Sequence, residues 1–240
     1  YLKWLTGLFA DMRSLLTPTG SVVVEIGNAW TPGSPTMSTL ALEALMAIKE
    51  GAGLHLCQQF ICFNPAKLPT PAQWVTIERI RVKDSFTHVW WFGATARPYA
   101  NNRNVLVEYS SAMRRLLRTG KYNSGLRPSQ HNISDKSFLV DNQGAIPSNV
   151  LTIANTRNND GYLTSCQAHG IQPHPARMPV ELAEFFVKLC TKPRNLVFDP
   201  FGGSNVTGFA AECLKRRWIV TEPTQEYVAG SIARFAQTKR

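Results

Sequence analysis

Near its C-terminal end the chain runs Asn195-Leu-Val-Phe-Asp-Pro-Phe-Gly-Gly-Ser-Asn-Val-Thr-Gly208, and this run limits the folds open to it. An apolar strand, Leu196 to Phe198, ends in Asp199. Gly202 and Gly203 let the backbone turn sharply and approach a ligand. Asn205 and Thr207 open an amphipathic segment whose free N–H groups can face a polar or anionic group. A second apolar strand, Trp218 to Val220, leads to Glu222, about 20 residues past the glycines, where a carboxylate can grip the two hydroxyls of a ribose. The unit reads as half of a nucleoside-cofactor sheet. The few dozen residues after Gly208 are too short to complete a parallel sheet covered by helices, so the other strands are expected from upstream sequence. A plain αβ turn, with glycines placed for packing, is the competing reading of the same pattern.

The 240 residues are 44% hydrophobic, enough for one substantial core in a single globular domain. No stretch approaches the roughly 20 apolar residues that cross a bilayer, and no signal-peptide pattern opens the sequence, so a cytoplasmic protein is expected, nucleoid-associated if bacterial. The first residue is Tyr1, which suggests a start inside a longer reading frame. Cys57, Cys62, Cys166, Cys190 and Cys213 form no C-x-x-C pair and read as free thiols in a reducing compartment. The five histidines lack ligand spacing, so no metal is expected.

Charge is more informative. From Arg79 to Lys136, eleven basic residues face only Asp84, Glu108 and Asp135, which places eight of the net ten positive charges in this segment. A basic block beside a nearly neutral remainder points to a polyanion, nucleic acid first; a solubilising face would usually mix signs.

Apolar spacing predicts a helix over residues 2–16, closed by Thr17-Pro18-Thr19-Gly20, and a buried strand from Ser21 to Ile26. A helix over 36–50 and a strand over 54–63 follow. Residues 74–93 read as two strands around the turn at Lys83-Asp84-Ser85, with Trp90 and Trp91 packing in the sheet. A helical stretch spans 105–117, and the long polar segment after it has the composition of a functional loop. Helices are expected again at 160–169 and through Leu182, Phe185, Phe186 and Leu189.

Several motifs in order carry a resemblance. They are Phe63-Asn-Pro-Ala-Lys-Leu-Pro69, Ile80-Arg-Val-Lys-Asp84, Val89-Trp-Trp-Phe92, Arg127-Pro-Ser with His131, and Asp141-Asn-Gln-Gly-Ala-Ile-Pro-Ser-Asn149. His174-Pro-Ala-Arg177, Asp199-Pro-Phe-Gly-Gly-Ser-Asn205 and Glu222 with Tyr227 complete the set. The chain resembles amino-group DNA methyltransferases of the permuted type, closest to N4-cytosine enzymes of restriction–modification systems. The resemblance implies an α/β fold: a Rossmann-like, circularly permuted S-adenosylmethionine-dependent sheet with an irregular target-recognition insertion. It implies a catalytic-side half over 1–92, target recognition over 93–170 and a cofactor half over 171–240. It places S-adenosylmethionine against His174, Pro175, Ala176, Asp199, Pro200, Phe201, Gly202, Gly203, Ser204, Asn205, Thr207, Glu222 and Pro223, with Phe201 near the adenine.

Such enzymes carry a Ser-Pro-Pro-Tyr/Phe or Asp/Asn-Pro-Pro-Tyr tetrapeptide, and this sequence contains no Pro-Pro dipeptide. The family layout puts that motif upstream of Tyr1, so none of these residues is assigned as catalytic and the chain alone is expected to be inactive. The partner implied is double-stranded DNA whose target base leaves the helix, within a system holding a cognate endonuclease. Arg79, Arg81 and Lys83, alternating along the expected strand, are read as phosphate contacts, and Arg127, Gln130, His131 and Asn132 as base readers. An adenine-N6 methyltransferase, or a non-catalytic nucleic-acid-binding regulator on a degenerate methyltransferase fold, are the alternatives.

Overall fold

The computed structural model describes residues 1–134, 136, 138–155 and 161–237. In chain order the elements are α1 (Leu2–Leu15), β1 (Ser21–Gly27), β2 (Ala29–Trp30), β3 (Met37–Ser38), α2 (Leu40–Met46), β4 (His55–Phe63), β5 (Phe86–Gly93) and α3 (Ser111–Thr119). They continue as β6 (Gly125–Leu126), β7 (Asn132–Ile133), β8 (Val150–Thr152), α4 (Gly161–Ala168), α5 (Val180–Cys190), β9 (Leu196–Asp199), α6 (Val206–Cys213), β10 (Arg217–Val220) and α7 (Gln225–Ser231). Two compact units result, residues 1–100 with 149–240, and residues 101–148.

The larger unit holds a four-stranded sheet ordered β1-β5-β4-β8 and a two-stranded sheet of β9 and β10. β5 runs antiparallel to β1 and β4, whereas β4–β8 and β9–β10 are parallel. This is the α/β class that the motifs implied. Among the described residues, β9 and β10 pair with each other rather than within the larger sheet.

Side-chain alternation explains the layers. Leu5 and Phe9 of α1, Ala41 and Ala44 of α2, and Ile48 pack on Val22, Trp90 and Phe92. Trp90 is fully buried and Trp91 donates its Nε1–H to the Ser21 hydroxyl at 2.9 Å, so the tryptophan pair packs in the sheet as expected. Phe60 of β4 meets Phe185 and Phe186 of α5 edge-on, with centroids at 5.9 and 5.1 Å. Burying one such ring is worth about 1.5–3 kcal/mol. The same helix presents Ala183 to Val206 and Ala210 of α6, so α5 ties the glycine turn to the larger sheet.

Four local expectations are corrected. β1 is an edge strand in which only Val22 is fully buried, because it pairs on one side with β5. The helix expected over 36–50 starts at Leu40 and passes into a π-helical turn, Ala47–Gly51; a Cβ on Gly51 would lie 2.4 Å from Thr6 of α1. The strand expected around Ile80 and Val82 does not form. A π-helical turn at Gln73–Ile77 leaves the Trp74 carbonyl to accept the N–H groups of Ile80 and Arg81, Arg79 is left-handed at φ 59°, and β1 and β4 already occupy both sides of β5. The helix expected over 105–117 is a 3₁₀ turn, Asn102–Val105, followed by α3, which starts where the Ser110 hydroxyl accepts the Met113 N–H. The helix expected over 160–169 is α4; Asp160 lies outside the described residues.

The smaller unit has its own framework. Val107 and Ala145 form an antiparallel bridge, and the Tyr109 hydroxyl donates to Asp141 Oδ1 at 3.1 Å while accepting the Asn142 N–H at 2.8 Å.

Candidate active site

The turn after β9 is built by side chains that satisfy its own backbone. Asp199 Oδ1 accepts the Phe201 N–H at 2.9 Å, and Oδ2 accepts the Thr207 hydroxyl at 2.6 Å. Asn205 sits at φ 55° and its side chain caps α6 by accepting the Gly208 N–H at 3.1 Å. The Gly202 N–H donates to the Thr221 carbonyl at 2.9 Å, and the Thr221 N–H to the Asp199 carbonyl at 3.0 Å. Asp199 and Glu222 therefore lie on adjacent strand ends, as their spacing suggested.

The protein's own atoms pack closely around this turn. A Cβ on Gly202 would stand 2.1 Å from Val220 Cγ1, and one on Gly203 would lie 3.2 Å from the His174 ring. The room left by both glycines is filled by the protein itself. Asp199 and Thr207 hold each other, and the Asn205 side chain takes up the Gly208 N–H from within.

Glu222 is the clasp of the turn. Its Oε2 accepts the Gly203 N–H at 2.8 Å and its Oε1 the Thr224 N–H at 2.9 Å. Burial pulls its pKa upward, but these N–H groups, the Thr224 side chain and the neighbouring His174 together hold it below the usual carboxylate value. It stays ionised. Because a carboxylate has about four acceptor positions and three are taken by the Gly203 and Thr224 N–H groups and the Thr224 side chain, it keeps capacity for about one more donor.

His174 packs over Gly203 and meets Tyr227 edge-on at 4.6 Å. Its Nδ1 lies 2.5 Å from the Ala176 carbonyl, which can only accept, so Nδ1 is the donor of that bond. The His174 N–H donates to the Tyr162 hydroxyl at 2.9 Å. Pro175 and Ala176 are exposed beside it, the Pro200 carbonyl accepts the Thr221 hydroxyl at 3.0 Å, and Pro223 leads exposed towards α7. Phe201 projects outward, 59% exposed, with the Trp4 ring 6.2 Å away.

Three residues here carried no local signal. Tyr162 is almost fully buried, and burial raises its phenol pKa. Arg234 lies 4.4 Å over the Tyr162 ring and donates to the Ser204 carbonyl at 2.6 Å and hydroxyl at 3.1 Å. Trp4 comes from the opposite end of the sequence. Only their contacts reveal them.

The polar candidates divide into two groups. Arg79, Arg81 and Lys83 share no strand face. Arg81 donates to the Pro35 and Ile80 carbonyls at 3.0 and 2.8 Å, and Lys83 to the Pro65 and Lys67 carbonyls at 3.2 and 3.1 Å. Arg127, Gln130, His131 and Asn132 do converge, on the β6–β7 hairpin: the Arg127 N–H bonds the His131 carbonyl at 2.8 Å and the Gln130 N–H the Arg127 carbonyl at 2.9 Å. Gln130, His131 and Asn132 are exposed, whereas Arg127 donates to the Asn123 carbonyl.

Two clefts of about 550 and 500 Å³ are lined by Arg13, Glu50 and Thr95 and by Lys49, His55 and Cys57; neither includes a residue of the 199–222 turn. No group of three His, Cys, Asp or Glu side chains suited to a metal occurs among the described residues. No helix among them is long and apolar enough to cross a membrane.

An α/β fold with a glycine turn clasped by a second-strand carboxylate defines a nucleoside-cofactor enzyme class, and the comparisons specify it. Residues 1–234 match the DNA methylase family model N6_N4_Mtase, and the chain belongs to that family. It is 43% identical over 237 residues to the Type II methyltransferase M.PvuII of Proteus hauseri, covering 98% of this chain and 70% of that protein. It is 24% identical to M.BglII of Bacillus subtilis, over 95% of this chain and 55% of the relative. The solved PvuII DNA methyltransferase (cytosine-N4-specific) superposes with a TM-score of 0.79 and 36% identity, over 98% of this chain and 70% of that one. The Thermus thermophilus DNA modification methylase TTHA0409, solved with S-adenosyl-L-methionine, shares the fold at TM-score 0.56 and 16% identity, over 99% and 77% of the two chains.

Proposed function

We propose that this chain carries the cofactor site and target-recognition region of an S-adenosylmethionine-dependent DNA methyltransferase acting on the N4 amine of cytosine. The observation that carries the reading is the Glu222–Gly203 clasp with His174 packed upon it, in a chain 43% identical to M.PvuII along nearly its whole length. The residues fit the cofactor. Glu222 is ionised with an acceptor position to spare for a ribose hydroxyl, and the exposed ring of Phe201 offers a face for adenine. The His174-Pro175-Ala176 segment would border the methionine end. When bound, S-adenosylmethionine supplies an electrophilic methyl group on sulfur. The chain's own part is orientation: it fixes the nucleoside and holds duplex DNA while the target base is out of the stack.

We assign target recognition to the compact unit 101–148, a narrower span than the 93–170 read from sequence. The hairpin residues Gln130, His131 and Asn132 are the proposed readers of base edges, with Arg127 placed to brace them. Arg81, tied to the Pro35 carbonyl, and Lys83, tied to those of Pro65 and Lys67, are proposed to shape the loops that carry those prolines. A cognate restriction endonuclease acting at the same DNA sequence is the proposed partner system, in keeping with relatives that are Type II methyltransferases.

The test has two arms. The chain should bind S-adenosylhomocysteine in preference to NAD, and Glu222→Ala should weaken that binding; equal affinity for NAD would overturn the cofactor site. The protein as encoded in its gene, incubated with duplex DNA and methyl-labelled cofactor, should leave label in N4-methylcytosine after digestion to nucleosides. Label in N6-methyladenine would replace the base assignment, and unlabelled DNA would favour a non-catalytic regulator.

A further inference from the structure

We propose that α3 is the helix by which residues 101–148 grip duplex DNA, with Arg114, Arg115 and Arg118 set against the phosphate backbone. This inference rests on the methyltransferase reading and adds an element outside both the glycine turn and the β6–β7 hairpin. Along Ser111–Thr119 the residues divide by face: Met113, Leu116 and Leu117 are half-buried, whereas Arg114, Arg115 and Arg118 are exposed. Spacings of three and four residues put the arginines on one side of a helix. Both ends of the helix are closed. The Ser110 hydroxyl accepts the Met113 N–H at 3.2 Å, and Gly120, left-handed at φ 62°, returns its N–H to the Leu116 carbonyl at 2.9 Å. The cations therefore ride on a preformed element, which lowers the ordering cost of binding.

Stability does not account for the charge pattern. Like charges four residues apart, as in Arg114 and Arg118, weaken a helix, and surface faces that serve solubility intersperse both signs. The Glu108 carboxylate approaches Arg114 at 3.8 Å, but both side chains are largely exposed. Among the described residues, no carboxylate pairs with Arg115 or Arg118. Arg81, Lys83 and Arg127, by contrast, donate to backbone carbonyls within the fold. Guanidinium groups suit phosphate because their fork can bond two oxygens at once. A helix with its side chains is about 10–12 Å across, a width that the ~12 Å major groove of B-DNA admits and the deep, narrow groove of A-form RNA does not.

The experiment compares wild type with R114Q/R115Q/R118Q and R114K/R115K/R118K by fluorescence anisotropy on a short DNA duplex, between about 50 and 200 mM salt. Binding of S-adenosylhomocysteine and the thermal midpoint report that the fold is intact. The glutamine variant should bind DNA at least about tenfold more weakly, with the slope of log affinity against log salt reduced by about 2–3. The lysine variant should keep most of the affinity. A glutamine variant that binds like wild type with an unchanged slope overturns the role of α3 alone. Tighter binding of double-stranded RNA than of DNA overturns it as well. Wild-type protein that binds S-adenosylhomocysteine and no DNA removes the DNA-substrate part of the proposed function together with this one.

Discussion

Replacing Gly202 with alanine separates two roles for that glycine: close approach to a ligand, or close packing on β10. Its φ lies outside the left-handed region, so the backbone itself accepts alanine. The obstacle is spatial. The new methyl would sit 2.1 Å from Val220 Cγ1 and 3.1 Å from the Thr221 carbonyl oxygen, and that oxygen already receives the Gly202 N–H. The side chain of Val220 has to rotate or β10 has to move away from the turn, and overpacking of this kind typically costs about 1–3 kcal/mol. For a domain of this size each kcal/mol lowers Tm by roughly 2–4 °C, so Gly202→Ala should melt roughly 2–12 °C below wild type. Val220→Ala removes the colliding methyl and by itself should cost about 1 kcal/mol. Packing predicts that the double variant is more stable than the sum of the two losses, with coupling of roughly 0.5–3 kcal/mol. Urea unfolding of all four proteins measures that cycle. A neutral Gly202→Ala, or strictly additive losses, would refute the assignment of this glycine to packing against Val220.

The capping residue gives a second test. Asn205→Ala should cost about 2–3 kcal/mol, since it removes the acceptor of the Gly208 N–H and puts alanine at φ 55°; Asn205→Gly, at ease there, should cost only a few tenths. Equal losses in urea unfolding would show that the left-handed backbone is not what asparagine supplies. Glu222 predicts a pH effect with a definite sign. Its folded pKa lies below the ordinary 4.5, so its contribution is present above that value and disappears as pH falls through the lower, folded value. Urea midpoints followed from about pH 6 to 3 should therefore fall more steeply below 4.5 for wild type than for Glu222→Gln, and parallel curves would contradict the clasp.

Much of the site was legible because its key residues are close in sequence. Asp199, the glycine pair, Asn205 and Glu222 lie within a single βαβ unit, where a 3.6-residue period and two apolar strands leave few ways to connect them. The basic segment was equally visible, because charge is summed without knowing the fold. The strand assigned to Arg79, Arg81 and Lys83 failed for an instructive reason. Alternation of apolar and basic residues is also what a loop shows when its cations turn back to carbonyls, as Arg81 and Lys83 do. A short alternating run carries too little information to exclude that outcome.

The sequence by itself determined the α/β class, the order of the motifs and the placement of a carboxylate beside a glycine turn, since these follow from local spacing and from residue types with narrow backbone preferences. Only the tertiary structure decided what fills the space that the glycines leave: Val220 against Gly202 and His174 against Gly203. It also decided that Tyr162 and Arg234 brace the turn, and that the three arginines of α3 share an exposed face while other cations bend inward. These partnerships join segments far apart in the chain, and each is settled by many weak contacts acting together, so no single spacing encodes them.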